Sequence, residues 1–286
     1  MQIFAEQLVN ALQMGALLFL VASGLSLIFG LMHVVNLAHG VFYMVGAYLA
    51  MTLAGRFGHF YLALALVPLL TALLGVLVER SLLAHTYGRG MYPQVLLTLG
   101  LVFAGDEVIR IIWGPEIQTL ALPAELQGSL LVGGISVPLY RLLVVGIGVA
   151  VMVLLLAVFG ATRLGAKVRA SVDDREMAAA LGVDVPRLFT GVFAAGCALA
   201  GLAGVLSLPL FNASPGMGSE ILIPALVVVV VGGMGSLPGA LIASLLIGAA
   251  TVVGQVYVPA FSTGFIYLVL VLVLLVRPQG LMGIAR

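Results

Sequence analysis

The sequence predicts an all-α integral membrane protein, a polytopic bundle of about eight to nine transmembrane helices with Gly-rich helix breaks. Three observations carry this. Hydrophobic residues make up 63% of the 286 positions and charged residues 8%, against about 25% charged in an ordinary soluble domain. The apolar runs recur at about a helix length, without the residue-by-residue alternation of a lipid-facing barrel strand. The few charges gather in short islands between those runs. The chain reads as one transmembrane domain over 1–286.

The first span is expected at 7–30, with Gly15, Ser23, Gly24 and Ser26 forming a small-residue face for close helix packing. Glu6 is the only charge before Arg56, so this run lacks the basic flank of a cleaved signal peptide and is expected to remain as a span. A break follows at 30–40, then a second span at 38–54 and a third at 60–78. Residues 79–93 hold Arg80, His85 and Arg89, which places them in the cytoplasm because basic loops resist translocation. The fourth span, 94–113, carries Asp106, Glu107 and Arg110, close enough along one helix for Arg110 to pair with an acid. Residues 114–140 contain Glu116 and Glu125 and no Lys or Arg, which suits the outer side, with a short hairpin around 130–137. Further spans are expected at 138–160, 187–208, 239–258 and 261–276. The apolar run 219–232 is about 14 residues, short for a full crossing. Arg277 and Arg286 place the C-terminus in the cytoplasm.

The longest charged stretch is 163–187, RLGAKVRASVDDREMAAALGVDVPR, with Arg163, Lys167, Arg169, Arg175 and Arg187 among the chain's 12 basic residues. From Leu188 to Val276 the only formal charge is Glu220. Ser171 and Asp174 resemble a capping box. Asp173, Asp174 and Glu176 favour the positive end of a helix dipole, and Met177, Ala178, Ala179 and Ala180 are helix formers. Gly182 is a natural stop, and Asp184 before Pro186 starts the next helix. One short helix is therefore expected over 171–182, with Ala179 small enough for another surface to approach.

Both ends of the chain share a plan, an apolar run, a break and a helix rich in small residues. His33, Asn36 and His39 mark the first break, and Gly233, Gly235 and Ser236 the second. Broken helices at depth occur where they line a water-filled path or are buried in protein. Two readings follow: a translocation path, or glycines that permit tight crossing. GGMGSLPG at 232–239 lacks the Lys-Ser/Thr ending of a phosphate-binding loop, so any nucleotide site belongs to another subunit. Cys197 is the single cysteine, and no ligand set for a structural metal is present. No cofactor is expected, and a net charge of +1 leaves no footprint for nucleic acid.

Glu176-x-Ala178-Ala179-x-Leu181-Gly182 resembles the EAA-type coupling loop of permease subunits in ATP-binding-cassette importers. Residues 24–49, GLSLIFGLMHVVNLAHGVFYMVGAYL, and 226–248, LVVVVVGGMGSLPGALIASLLIG, look like two blocks of the Liv-type branched-chain amino-acid importer permeases. Pro278-Gln279-Gly280-Leu281 is similar to that family's ending, and the short chain resembles its LivH-like subunits. The resemblance implies uptake of branched-chain amino acids, or of related solutes such as urea, amides or carboxylic acids, across a bacterial inner membrane. It implies a second permease subunit (LivM-like, or a second copy), two ATPase subunits and a periplasmic substrate-binding protein. On it, Asp173, Asp174, Arg175, Glu176, Ala178, Ala179 and Gly182 would contact the ATPase, and the chain itself is no enzyme. The alternatives are an ion-gradient-driven transporter or channel, which tends to place ionisable groups inside its spans, and an intramembrane enzyme built on the His33–His39 break.

Overall fold

The computed structural model describes residues 2–32, 34, 36–132 and 135–283. The helices are α1 Gln2–Met32, α2 His39–Phe57, α3 Phe60–Ser81, α4 Met91–Trp113, α5 Leu139–Ala161 and α6 Arg163–Asp173. They continue with α7 Arg175–Ala180, α8 Val185–Phe211, α9 Met217–Gly232, α10 Leu237–Tyr257 and α11 Ser262–Val276. The expected hairpin forms from β1 Ser129–Val132 and β2 Ile135–Pro138, antiparallel with Ser129 opposite Pro138. Its turn, Gly133 and Gly134, lies outside the described residues, as do His33 and Arg286.

Seven helical segments among the described residues are long and apolar enough to cross a membrane: α1, α2, α3, α5, α8, α10, and α11 taken together with the short helical turn Pro259–Phe261 before it, 18 residues in all. The expected count of about eight to nine includes two more that fall short of that standard. α4 has the length, 23 residues, but carries Asp106, Glu107 and Arg110. α9 has 16 residues, about 24 Å of helix against a hydrocarbon core of about 30 Å. No ion pair joins Arg110 to Asp106 or Glu107 among the described residues.

α1 and α8 form the buried centre: 83% of the spanning window of α1 and 67% of that of α8 is enclosed, against 6% for α11. α8 packs on α1, α2 and α3, and α1 on α8, α9 and α10. Small residues let the backbones meet. A Cβ on Gly201 of α8 would lie 2.2 Å from the Thr71 hydroxyl of α3. Thr71 turns that hydroxyl back onto the Val67 carbonyl at 3.0 Å, so no polar group is stranded between the helices.

Contacts between distant segments define two ends of the bundle. At one end Glu6 and Asn10 line a pocket with Pro138 and Arg141, and Gln118 pairs with Ala213 as an isolated antiparallel bridge. At the other end Gly30 of α1 touches Gly235 after α9. The C-terminal segment returns to the same place. Leu281 N–H donates to the Val231 carbonyl at 2.8 Å and Met282 N–H to the Gly232 carbonyl at 3.1 Å. These are last-turn carbonyls of α9, which a helix end leaves without an internal partner.

The charged stretch differs from the single helix expected over 171–182. It folds as two helices, α6 and α7, divided at Asp174. Thr162 caps α6, accepting from Gly165 N–H at 3.3 Å, and Asp174 caps α7, accepting from Met177 N–H at 2.9 Å. Ser171 caps nothing; it lies inside α6 with its hydroxyl buried and unpartnered. The reason is amphipathicity. α6 buries Gly165, Val168 and Ser171 on one face and keeps its basic residues in solvent, which holds 163–173 helical. Gly182 ends α7 with φ +86°, and Asp184 caps α8 through Arg187 N–H at 3.1 Å, both as expected.

Candidate functional site

The first break is built between α1, α2 and α8. His39 is fully buried at the start of α2, and its Nε2 lies 3.1 Å from the Val21 carbonyl of α1. A carbonyl only accepts, so Nε2 carries the proton and Nδ1 is left without a partner. Gly24 makes the room: a Cβ there would lie 3.0 Å from His39 Cε1 and 2.7 Å from the Gly196 carbonyl oxygen of α8. Asn36 is also fully buried, and neither its amide nitrogen nor its oxygen has a partner. An unpaired buried amide is costly, so Asn36 is the least satisfied polar group of the break. His33 lies outside the described residues.

The second break follows α9. Gly233 and Gly235 adopt φ +97° and +83°, backbone that side chains rarely tolerate. Ser236 is the N-cap of α10 and accepts from Gly239 N–H at 3.1 Å. The two breaks meet through Gly30 and Gly235, where a Cβ on either would lie within 2.9 Å of the other's Cα. They do not form one cluster. His39 sits beside Val21 and Gly24, about 9–13 Å along α1 from Gly30 at 1.5 Å per residue. His39 is thus at depth, while the glycines sit at one end of the bundle. A second close crossing joins the start of α2 to the start of α9, with a Cβ on Gly40 falling 2.0 Å from the Gly218 carbonyl oxygen. Among the described residues no group of three or more potential metal ligands gathers.

The charged loop presents α7 at the end where α3 finishes and α8 begins. Ala178 is buried against the bundle, and Asp173, Asp174, Arg175, Glu176, Ala179 and Gly182 are exposed. Arg175 places its guanidinium 4.7 Å over the Phe189 ring of α8, a cation–π contact tying α7 to the bundle. Sequence reasoning missed Met177 and Leu181, which are 57% and 78% exposed. Their signal was available, since apolar residues four apart share a helix face. Gly30, Gly40 and Gly218 were missed as contacts because nothing local marks which glycines will meet.

A protein-family model described as "Branched-chain amino acid transport system / permease component" matches residues 7–274. The chain is 29% identical over 297 aligned positions to "High-affinity branched-chain amino acid transport system permease protein BraD" of Pseudomonas aeruginosa, covering 98% of this chain and 96% of that protein. It is 26% identical over 296 positions to the high-affinity permease protein LivH of Escherichia coli K12, covering 98% and 96%. A relative in Methanocaldococcus jannaschii, "Probable branched-chain amino acid transport permease protein LivH", is 29% identical over 289 positions, covering 94% and 89%. The match over residues 7–274 shows that the chain belongs to the family of permease components of branched-chain amino acid transport systems, and seven candidate spans among the described residues accord with it.

Proposed function

We propose that this chain is one permease half of an ATP-driven importer that carries branched-chain amino acids, or a related small polar or carboxylate solute, across a bacterial inner membrane. The observation that carries the reading is α7. It is a capped helix on the longest charged loop, with Met177 and Leu181 turned to solvent beside Asp173, Arg175 and Glu176. Apolar residues exposed on a charged loop outside the lipid call for a protein partner. In this reading α7 docks on an ATPase subunit, which supplies the nucleotide chemistry. A second permease subunit completes the path, and a periplasmic binding protein delivers the cargo. Asn36 and His39 flank the route at depth, and the Gly233–Ser236 break flanks it at the cytoplasmic end. Family membership does not favour an ion-gradient-driven transporter.

Purification of the intact complex in mild detergent tests the docking. The wild-type chain should bring down ATPase subunits, and Leu181→Asp should lose them while still inserting. Retention of the ATPase by Met177→Asp and Leu181→Asp together would refute docking through α7.

A further inference from the structure

The mechanism above makes no use of Glu79, a carboxylate at the end of α3 that is 2% exposed. A buried carboxylate is costly unless each oxygen finds a donor. Tyr87 O–H donates to Oε1 at 2.9 Å and Thr190 O–H to Oε2 at 2.8 Å. No Lys or Arg lies within ion-pair distance among the described residues. The two donors come from two other elements. Tyr87 belongs to the connection between α3 and α4, and Thr190 to the first turns of α8, 111 positions from Glu79. The Tyr87 ring meets Phe189 edge-on with centroids 5.9 Å apart, and Arg175 of α7 lies over that same Phe189 ring. Burial first, and the Glu79 charge second, push the Tyr87 phenol pKa up, so the phenol remains a donor.

α7 is joined to α8 by a short turn in which Gly182 takes φ +86° and Val183 N–H donates to the Ala178 carbonyl at 3.0 Å. That turn carries a push on α7 to α8 alone, and α3 needs a contact of its own to feel it. We propose that Glu79 is a positioning residue: with Tyr87 and Thr190 it clamps the end of α3, the α3–α4 connection and the start of α8 into one body, which Arg175 on Phe189 joins to α7. The inference rests on the reading of α7 as the ATPase-docking helix. It gives the ATPase a grip on α3 as well as on α8.

The test uses the whole complex in vesicles, with ATPase subunits and loaded binding protein, and scores cargo moved per ATP hydrolysed. Glu79→Met removes both acceptors at nearly constant length, and Tyr87→Phe removes one donor and nothing else. Both should assemble with the ATPase and keep unstimulated hydrolysis, with an unfolding temperature lowered by no more than the lost hydrogen bonds explain. Cargo per ATP should fall about tenfold in Tyr87→Phe, the factor of one hydrogen bond to a charged group, and by more in Glu79→Met, which loses both. Glu79→Gln should keep most of the coupling, because its oxygen serves Tyr87 and its amide serves the Thr190 oxygen. Wild-type coupling in Glu79→Met and Tyr87→Phe would overturn the inference. So would a loss in Tyr87→Phe that comes only with loss of assembly, which is a merely structural role. Absence of any ATPase from the wild-type complex would refute the docking reading and this inference with it, whereas wild-type coupling in the variants refutes this inference alone.

Discussion

Gly40→Ala adds one methyl group where α2 and α9 begin. The new Cβ would lie 2.0 Å from the Gly218 carbonyl oxygen and 2.7 Å from its carbonyl carbon. Close carbon–oxygen contacts start at about 3.3 Å, so the two helix starts must part by about 1.3 Å. Both obstacles are backbone, and no side-chain rotation relieves them. Overpacking of this kind costs about 1–3 kcal/mol, which at about 1.4 kcal/mol per decade is roughly 5- to 150-fold in the balance between packed and loosened states. Gly55→Ala on the same helix is the control, because nothing lies within 4 Å of its Cβ. Helix propensity alone predicts that Gly55→Ala is neutral or stabilising by up to about 1 kcal/mol. Thermal unfolding of the purified complex and cargo uptake in vesicles should both fall for Gly40→Ala and hold for Gly55→Ala. If the two variants behave alike, the α2–α9 crossing is not the tight contact that the geometry requires.

Ala179→Pro removes a hydrogen bond from the six-residue α7 and costs about 3 kcal/mol of helix stability; substrate-stimulated ATP hydrolysis in vesicles should be abolished while the protein stays in the membrane. Gly233→Leu forces a side chain onto φ +97° and drives its Cβ to 2.5 Å from Gly283 N, so uptake should stop with the complex assembled. Asn36→Leu removes a buried amide with no partner, so the unfolding temperature should hold or rise while uptake falls; normal uptake in both variants would place the breaks away from the path. Arg175→Cys should resist a membrane-impermeant thiol reagent in intact cells and react in inverted vesicles, with little background because the native Cys197 is buried. Labelling from outside would reverse the orientation derived from Lys and Arg.

Much of the helix order was legible because the span signal is compositional and local. The hairpin at 129–138, the Gly182 stop and the Asp184 cap were legible for the same reason, since turn and cap chemistry acts within a few residues. The division of 163–187 into two helices was missed because two capping signals competed, and Asp174 won where Ser171 was favoured. Burial of the Gly165, Val168 and Ser171 face decided it, which is a tertiary effect. Asn36, His39, Gly233 and Gly235 stood out in the sequence, yet nothing in it showed that His39 and the two glycines sit at different depths. The Gly30–Gly235 contact, the return of Leu281 onto α9 and the Glu79–Thr190 hydrogen bond join segments 50 or more positions apart. Such pairings depend on how the helices cross, and no local period reports that.

Whether ATP hydrolysis on a partner subunit drives movement through this chain is read from cargo uptake by the purified complex in vesicles, with ATP and ion gradients varied independently. Uptake should require ATP and loaded binding protein, survive collapse of the proton and sodium gradients, and be lost in Leu181→Asp. Uptake that follows an ion gradient without ATP would refute an ATP-driven importer.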